Sequence, residues 1–152
     1  MNVALGQYAL GGRLGDSIRE RQGMAYYVSS VFDANLLEGP LIIRAGVSPA
    51  NVDRAIASID EELSNVRERG LTDKELDETR RYLIGSMPRA LETNAGIANF
   101  LQTTELFGLG LDYDRRIPGL LRSVRLDDVR QAARALDPAR ASVVIAGPYG
   151  GK

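Results

Sequence analysis

Residues 41 to 63, "LIIRAGVSPANVDRAIASIDEEL", constrain the fold more than any other stretch. In "LIIRAGV" the residues alternate. Leu41, Ile43, Ala45 and Val47 share one face, and Ile42, Arg44 and Gly46 the other, the period of a half-buried strand. Past Ser48-Pro49 the period changes. Val52, Ile56, Ile59, Leu63 and Val66 recur at spacings of four and three, the stripe of an amphipathic helix. Ser48 suits the cap position and Pro49 the first helical position. A strand with one apolar face, followed at once by a helix with one apolar stripe, predicts a sheet layered against helices.

The flanks extend this pattern. "MAYYVSSVF", residues 24 to 32, is β-branched and aromatic and predicts a second strand. The turn-rich "DANLLEGP" joins the two strands as an antiparallel hairpin. Residues 2 to 10 predict a short helix with Val3, Leu5 and Leu10 available for burial. Gly11 and Gly12 interrupt it, and "LGDSIRER" predicts further helical turns closed by Gly23. Downstream, the long helix ends at Gly70, and Thr72 with Glu75 forms a capping box for the next. Leu76, Leu83 and Ile84 continue the stripe, and Pro88 should break that helix near Met87. Further helices are predicted from about Arg89 to Phe107, over 112–122 and over 127–136. "ASVVIAG", residues 141 to 147, predicts a short buried strand. The fold class is α+β: a small, mainly antiparallel sheet with several helices packed on one face. The 152 residues suit one domain with one core.

Composition excludes several chemistries. The chain has no Cys and no His, which removes thiolates, the commonest general base and the commonest zinc ligand. A formal net charge of −1 gives no footprint for nucleic acid or an anionic membrane surface. No apolar run is long enough to span a bilayer, and "MNVALGQYAL" lacks the features of a secretory signal. The expected compartment is the cytoplasm, with the periplasm as the alternative.

Gly6 and Gly11 have the first spacing of a phosphate-binding loop, but Gly12 and Arg13 stand where Lys and Ser or Thr are required. These glycines are read as points of close approach or turning. The acids of "DEELSNVRERG" and "TDKELDETRR" sit among Arg and Lys at helical spacing and read as solvated faces. One candidate remains, "SIRERQGMAYYVSS". Arg19 lies near a helix end and Tyr26 lies early in the next strand, seven positions later. A guanidinium and a phenol at such a corner could both donate to one carbonyl oxygen. The competing reading is structural. Arg19 is then a surface charge beside Glu20 and Arg21, and Tyr26 a core aromatic sharing parity with Met24, Val28 and Phe32.

"LGGRLGDSIRERQGMAYYVSSVFDAN", "GPLIIRAGVSPANVDRAIASIDEEL", "GLTDKELDETRRYLIGSM" and "ASVVIAGP" resemble, in this order, the C-terminal-type domain of pitrilysin/insulinase-family zinc metallopeptidases. These are the inverzincins, with mitochondrial processing peptidase as a relative. The resemblance implies a clamshell of paired domains around an extended peptide. One half carries H-x-x-E-H, whose two His and a later Glu hold zinc. The facing half carries an Arg and a Tyr that contact the scissile carbonyl. Carried over, these are Arg19 and Tyr26. Without His this chain matches only the facing, non-zinc half, and alone it is expected to be inactive.

The resemblance therefore implies the substrate-binding domain of a bacterial zinc metalloendopeptidase, with no cofactor in this chain and zinc in a partner domain or subunit. Family domains open with an additional strand, so an N-terminally shortened fragment is expected. Its open sheet edge favours homo-oligomers. The alternatives are a non-proteolytic scaffold relative and a small oligomerising α+β module that binds a ligand.

Overall fold

The protein is described by a computed structural model covering residues 1–7, 11–33 and 36–150. Its described residues form two compact units, Met1–Leu71 with Leu126–Lys152, and Thr72–Arg125.

The first unit holds the sheet. A short helical segment, Val3–Gln7, kinked at Gly6, buries Val3, Ala4 and Leu5. Leu10, also expected in the core, lies outside the described residues. The short α1 (Gly12–Leu14) runs straight into a π-helical segment, Gly15–Arg21. Together these seal Leu14 and Ile18 completely from solvent. The turn that follows is closed by the Met24 N–H donating to the Ile18 carbonyl at 3.0 Å. Gly23, at φ +61°, supplies the left-handed backbone this turn needs.

Strands β1 (Ala25–Phe32) and β2 (Leu41–Val47) pair antiparallel, with Val28 opposite Ala45 and Ser30 opposite Ile43. At the start the register slips. Ala25 faces Val47 and Tyr27 faces Gly46, so Tyr26 is the extra residue of a β-bulge. The core lies on one face of this hairpin. Val28 and the inward residues Leu41, Ile43, Ala45 and Val47 meet Leu5, Leu14 and Ile18 there. Helix α2 (Val52–Arg69) adds Ala55, Leu63 and Val66, and Ala133 and Leu136 close the cluster.

A polar layer fixes α2 to the preceding helix end. Gln22 Nε2 donates to Ser58 Oγ at 3.0 Å, and Arg21 Nη2 pairs with Glu62 Oε1 at 3.4 Å. Glu62 thus leaves the solvated face expected for it and is 9% exposed. A carboxylate is tolerated there because a guanidinium meets it. Helix α2 ends at Gly70, whose carbonyl accepts from Arg13 Nη2 at 3.0 Å. Helix α6 (Leu126–Ala133) belongs to this unit and packs on α2.

Two expectations for this unit are corrected. The Ser48 side chain makes no capping bond; Pro49–Asn51 forms a 3₁₀ turn and α2 starts at Val52. The segment 141–147 belongs to no strand, and Val144 is 90% exposed. Among the described residues β2 pairs only with β1, so no strand stands beside 141–147 to complete a ladder.

Beyond that segment, the Tyr149 hydroxyl donates to Asp53 Oδ1 in the first turn of α2. That bond, then burial and the Asp53 charge, raise the Tyr149 phenol above its ordinary pKa. A raised acid pKa means the contact persists below that ordinary value and is lost as pH rises through the shifted one. Asp53→Asn is expected to move the Tyr149 ring titration, followed by NMR, to lower pH. An identical titration in the variant would show that the tether does not form.

The second unit is helical. Helix α3 (Asp73–Ala90) opens with the expected capping box, the Glu75 N–H donating to Thr72 Oγ1 at 3.2 Å and the Thr72 N–H to Glu75 Oε2 at 2.7 Å. Pro88 does not end it near Met87; the helix runs to Ala90. In the last turn proline forfeits only one donor, and the Leu91 N–H still closes on the Pro88 carbonyl at 3.0 Å. Helix α4 (Asn94–Leu106) starts after Thr93, which caps the Gly96 N–H at 3.0 Å, rather than at Arg89. Helix α5 (Tyr113–Ser123) stacks Tyr113 on Phe100 at 6.4 Å between ring centres. Arg80 Nη2 donates to the Val124 carbonyl, tying α3 to the end of α5.

Candidate functional site

Arg19 projects from the last turn of the Gly15–Arg21 segment, and Tyr26 from the bulge that begins β1. The corner between them is fixed from behind. Arg21 and Gln22 are held by Glu62 and Ser58, and Met24 is buried. The Arg19 side chain is 32% exposed, and its Nε lies 3.9 Å from Glu20 Oε1. A loose solvent-facing pair of this kind contributes little and leaves the guanidinium donors open to a ligand.

Tyr26 is 87% exposed and has no hydrogen-bond partner among the described residues. Its strand parity with Met24 and Val28, both buried, would have sent it into the core. The bulge breaks that parity by inserting one unpaired residue, and the phenol turns outward. The core-aromatic alternative therefore fails for Tyr26. Phe32, of the same parity, is also exposed at the far end of β1. Tyr27 covers Gly46 instead. A Cβ at Gly46 would stand 2.5 Å from Tyr27 Cε1. Side chains outside the expected set, Ser58 and Glu62, carry the polar layer behind the corner. Nothing in the local pattern of α2 marks them, because their partners come from another element.

A groove of about 700 Å³ also opens in this unit, lined by β2, the Ile56 and Ile59 side of α2, and Ala141–Ala146. Neither Arg19 nor Tyr26 lines it. The residues present do not fit zinc. The chain has no His or Cys, and among the described residues no three acids gather closely enough to hold a metal. No helix among the described residues is long and apolar enough to cross a membrane.

Residues 1–83 match the peptidase M16 inactive domain. The chain belongs to this family. An uncharacterized zinc protease of Streptomyces coelicolor is 33% identical over 149 residues, 97% of this chain and 32% of that protein. A non-peptidase homolog from Helicobacter pylori is 26% identical over 129 residues, 82% of this chain and 29% of that protein. The crystal structure of a peptidase M16 inactive domain from Pseudomonas fluorescens superposes with a TM-score of 0.76 at 26% identity, covering 88% of this chain and 32% of that one. The chain thus spans about a third of the length of these relatives. The α+β class holds: among the described residues helices accompany a two-stranded antiparallel sheet, and the chain superposes on the M16 inactive domain.

Proposed function

We propose that this chain is the substrate-holding, non-zinc half of an M16 zinc endopeptidase, and that Arg19 and Tyr26 donate hydrogen bonds to the carbonyl oxygen of the peptide bond to be cut. The observation that carries this reading is the bulge at Tyr26, which aims at solvent a phenol that regular pairing would bury. Bulges re-aim side chains at binding and catalytic sites. Family membership supports the reading, since an inactive domain in a zinc protease family implies a zinc-bearing half elsewhere. The peptide lies extended, partly held by backbone pairing to a sheet edge. Zinc and its ligands belong to a partner domain or subunit; this chain covers 32% of the Streptomyces coelicolor relative.

Two donors fixed in advance on the oxygen where charge develops are worth most in the transition state. In the assembly of this chain with its zinc-bearing half, Arg19→Ala and Tyr26→Phe are each expected to lower kcat about 10²-fold while leaving the melting temperature unchanged. Full turnover in both variants would remove the assignment. The name of the Helicobacter pylori relative favours a second reading, in which the domain serves a non-proteolytic assembly. A partner half without H-x-x-E-H would select it.

A further inference from the structure

Helix α2 carries a polar rung on a face that is otherwise apolar. Ala55 and Val66 are buried on that face, and Ser58 and Glu62 are buried between them. Spacings of three and four put all four residues on one side of the helix. The two polar members meet consecutive residues of the corner between Arg19 and Tyr26. Ser58 Oγ accepts from Gln22 Nε2 at 3.0 Å, and Glu62 Oε1 meets Arg21 Nη2 at 3.4 Å.

The rung is a poor device for stability. The Arg21 side chain is 69% exposed and that of Glu62 only 11%, so the carboxylate gives up its water while the guanidinium keeps most of its own. Their contact is also longer than the roughly 2.7–2.9 Å of a strong charge-assisted bond. Apolar side chains in place of such a pair are often neutral or stabilising. What the rung supplies is direction. Two anchors one helical turn apart, about 6 Å, fix both the position and the rotation of the backbone that carries Arg21 and Gln22. A single anchor would leave it free to pivot.

Arg21 and Gln22 lie inside a closed turn. The Gly23 N–H donates to the Arg19 carbonyl at 2.9 Å, and the Met24 N–H to the Ile18 carbonyl at 3.0 Å. The first of these bonds ends on Arg19 itself. On the other side Met24 and Ala25 are buried, and Tyr26 follows directly. The rung is therefore joined to Arg19 through one hydrogen bond and to Tyr26 through two buried residues. Gly23, at φ +61° and with open space where a Cβ would stand, is the point at which this turn can bend. We propose that Ser58 and Glu62 are positioning residues, which hold the turn so that the Arg19 guanidinium and the Tyr26 phenol stay aimed at one substrate carbonyl. This rests on the donor roles proposed above for Arg19 and Tyr26. Misplacing such groups by about 1 Å can lower a rate about 10²-fold.

Glu62→Leu tests this. It removes the acceptor and fills the buried place with apolar volume, and Arg21 can turn its exposed guanidinium into water, so the melting temperature is expected to hold. Hydrogen exchange followed by NMR is expected to become about tenfold faster at the Gly23 and Met24 amides, with the amides of α3 unchanged. In the assembly with the zinc-bearing half, Glu62→Leu is expected to lower kcat about tenfold at unchanged KM. Glu62→Gln, which keeps an acceptor oxygen, is expected to restore most of that loss. With Arg19→Ala and Tyr26→Phe already in place, Glu62→Leu is expected to have no further effect, because no donor is left to aim. Unchanged exchange at Gly23 and Met24 would overturn the proposal whatever the two donors do. Faster exchange with unchanged kcat would overturn it too, and would leave the donor roles, tested by Arg19→Ala and Tyr26→Phe alone, standing. A further loss of kcat in the background lacking both donors would show that Glu62 acts by another route, and would overturn it equally.

Discussion

Gly12→Val is expected to cost the first unit more than about 4 kcal/mol, enough to shift its urea midpoint by about 2 M. Two independent effects add here. Gly12 stands at φ +83°, in the left-handed region, where a β-branched residue is strained by about 1–3 kcal/mol. A Cβ at this position would also lie 2.9 Å from the Ala4 carbonyl oxygen and 3.0 Å from that of Leu5. Both are backbone atoms of the first helical segment and cannot swing aside as a side-chain tip does. Relief requires that segment to lift off, exposing Leu5. Given that whole domains are stable by about 5–15 kcal/mol, such a loss removes a large share of the stability while leaving a folded variant whose midpoint can be read. A midpoint within about 0.3 M of the parent would contradict the tight crossing of these two segments.

Leu14→Ala is the second large effect. Leu14 is fully buried among Leu5, Ile18 and Val28, and truncating such a leucine costs about 2–5 kcal/mol. Its neighbourhood adds a sharper test. Leu14 Cδ1 would stand 3.0 Å from a Cβ placed on Gly6, so the leucine occupies the space that this glycine leaves. Gly6→Ala alone should overpack and destabilise. In the Leu14→Ala background the same change should destabilise less, because its added methyl enters the hole. Recovery is partial, since Ser30 Oγ lies 3.1 Å from the same position. Strict additivity in the double-mutant cycle, read by chemical denaturation, would show that the two residues do not share a space.

These sites show which parts of the molecule are legible in sequence. The hairpin, the α2 stripe and the Thr72–Glu75 box follow from patterns that a segment carries within itself. The outward turn of Tyr26 does not, because a bulge is a relation between two strands and appears only when the register of both is known. Glu62 misleads for the same reason. Its neighbours in sequence describe a wet face, while the guanidinium that keeps it buried arrives from Arg21. The segment 141–147 has the composition of an inner strand, but composition does not supply a neighbour. Arg19 and Tyr26 as a pair became visible through family resemblance, since an exposed arginine and a tyrosine on a strand are commonplace one by one.

The path of the chain through its two units has an architectural consequence. It leaves the sheet-bearing unit at Leu71 and returns at Leu126. The two crossing points are neighbours, because Arg130 of α6 lies against Gly70 at the end of α2. The helical unit is therefore spliced into its host at one spot, like a cassette. It can lengthen or shorten without rerouting a strand of its host.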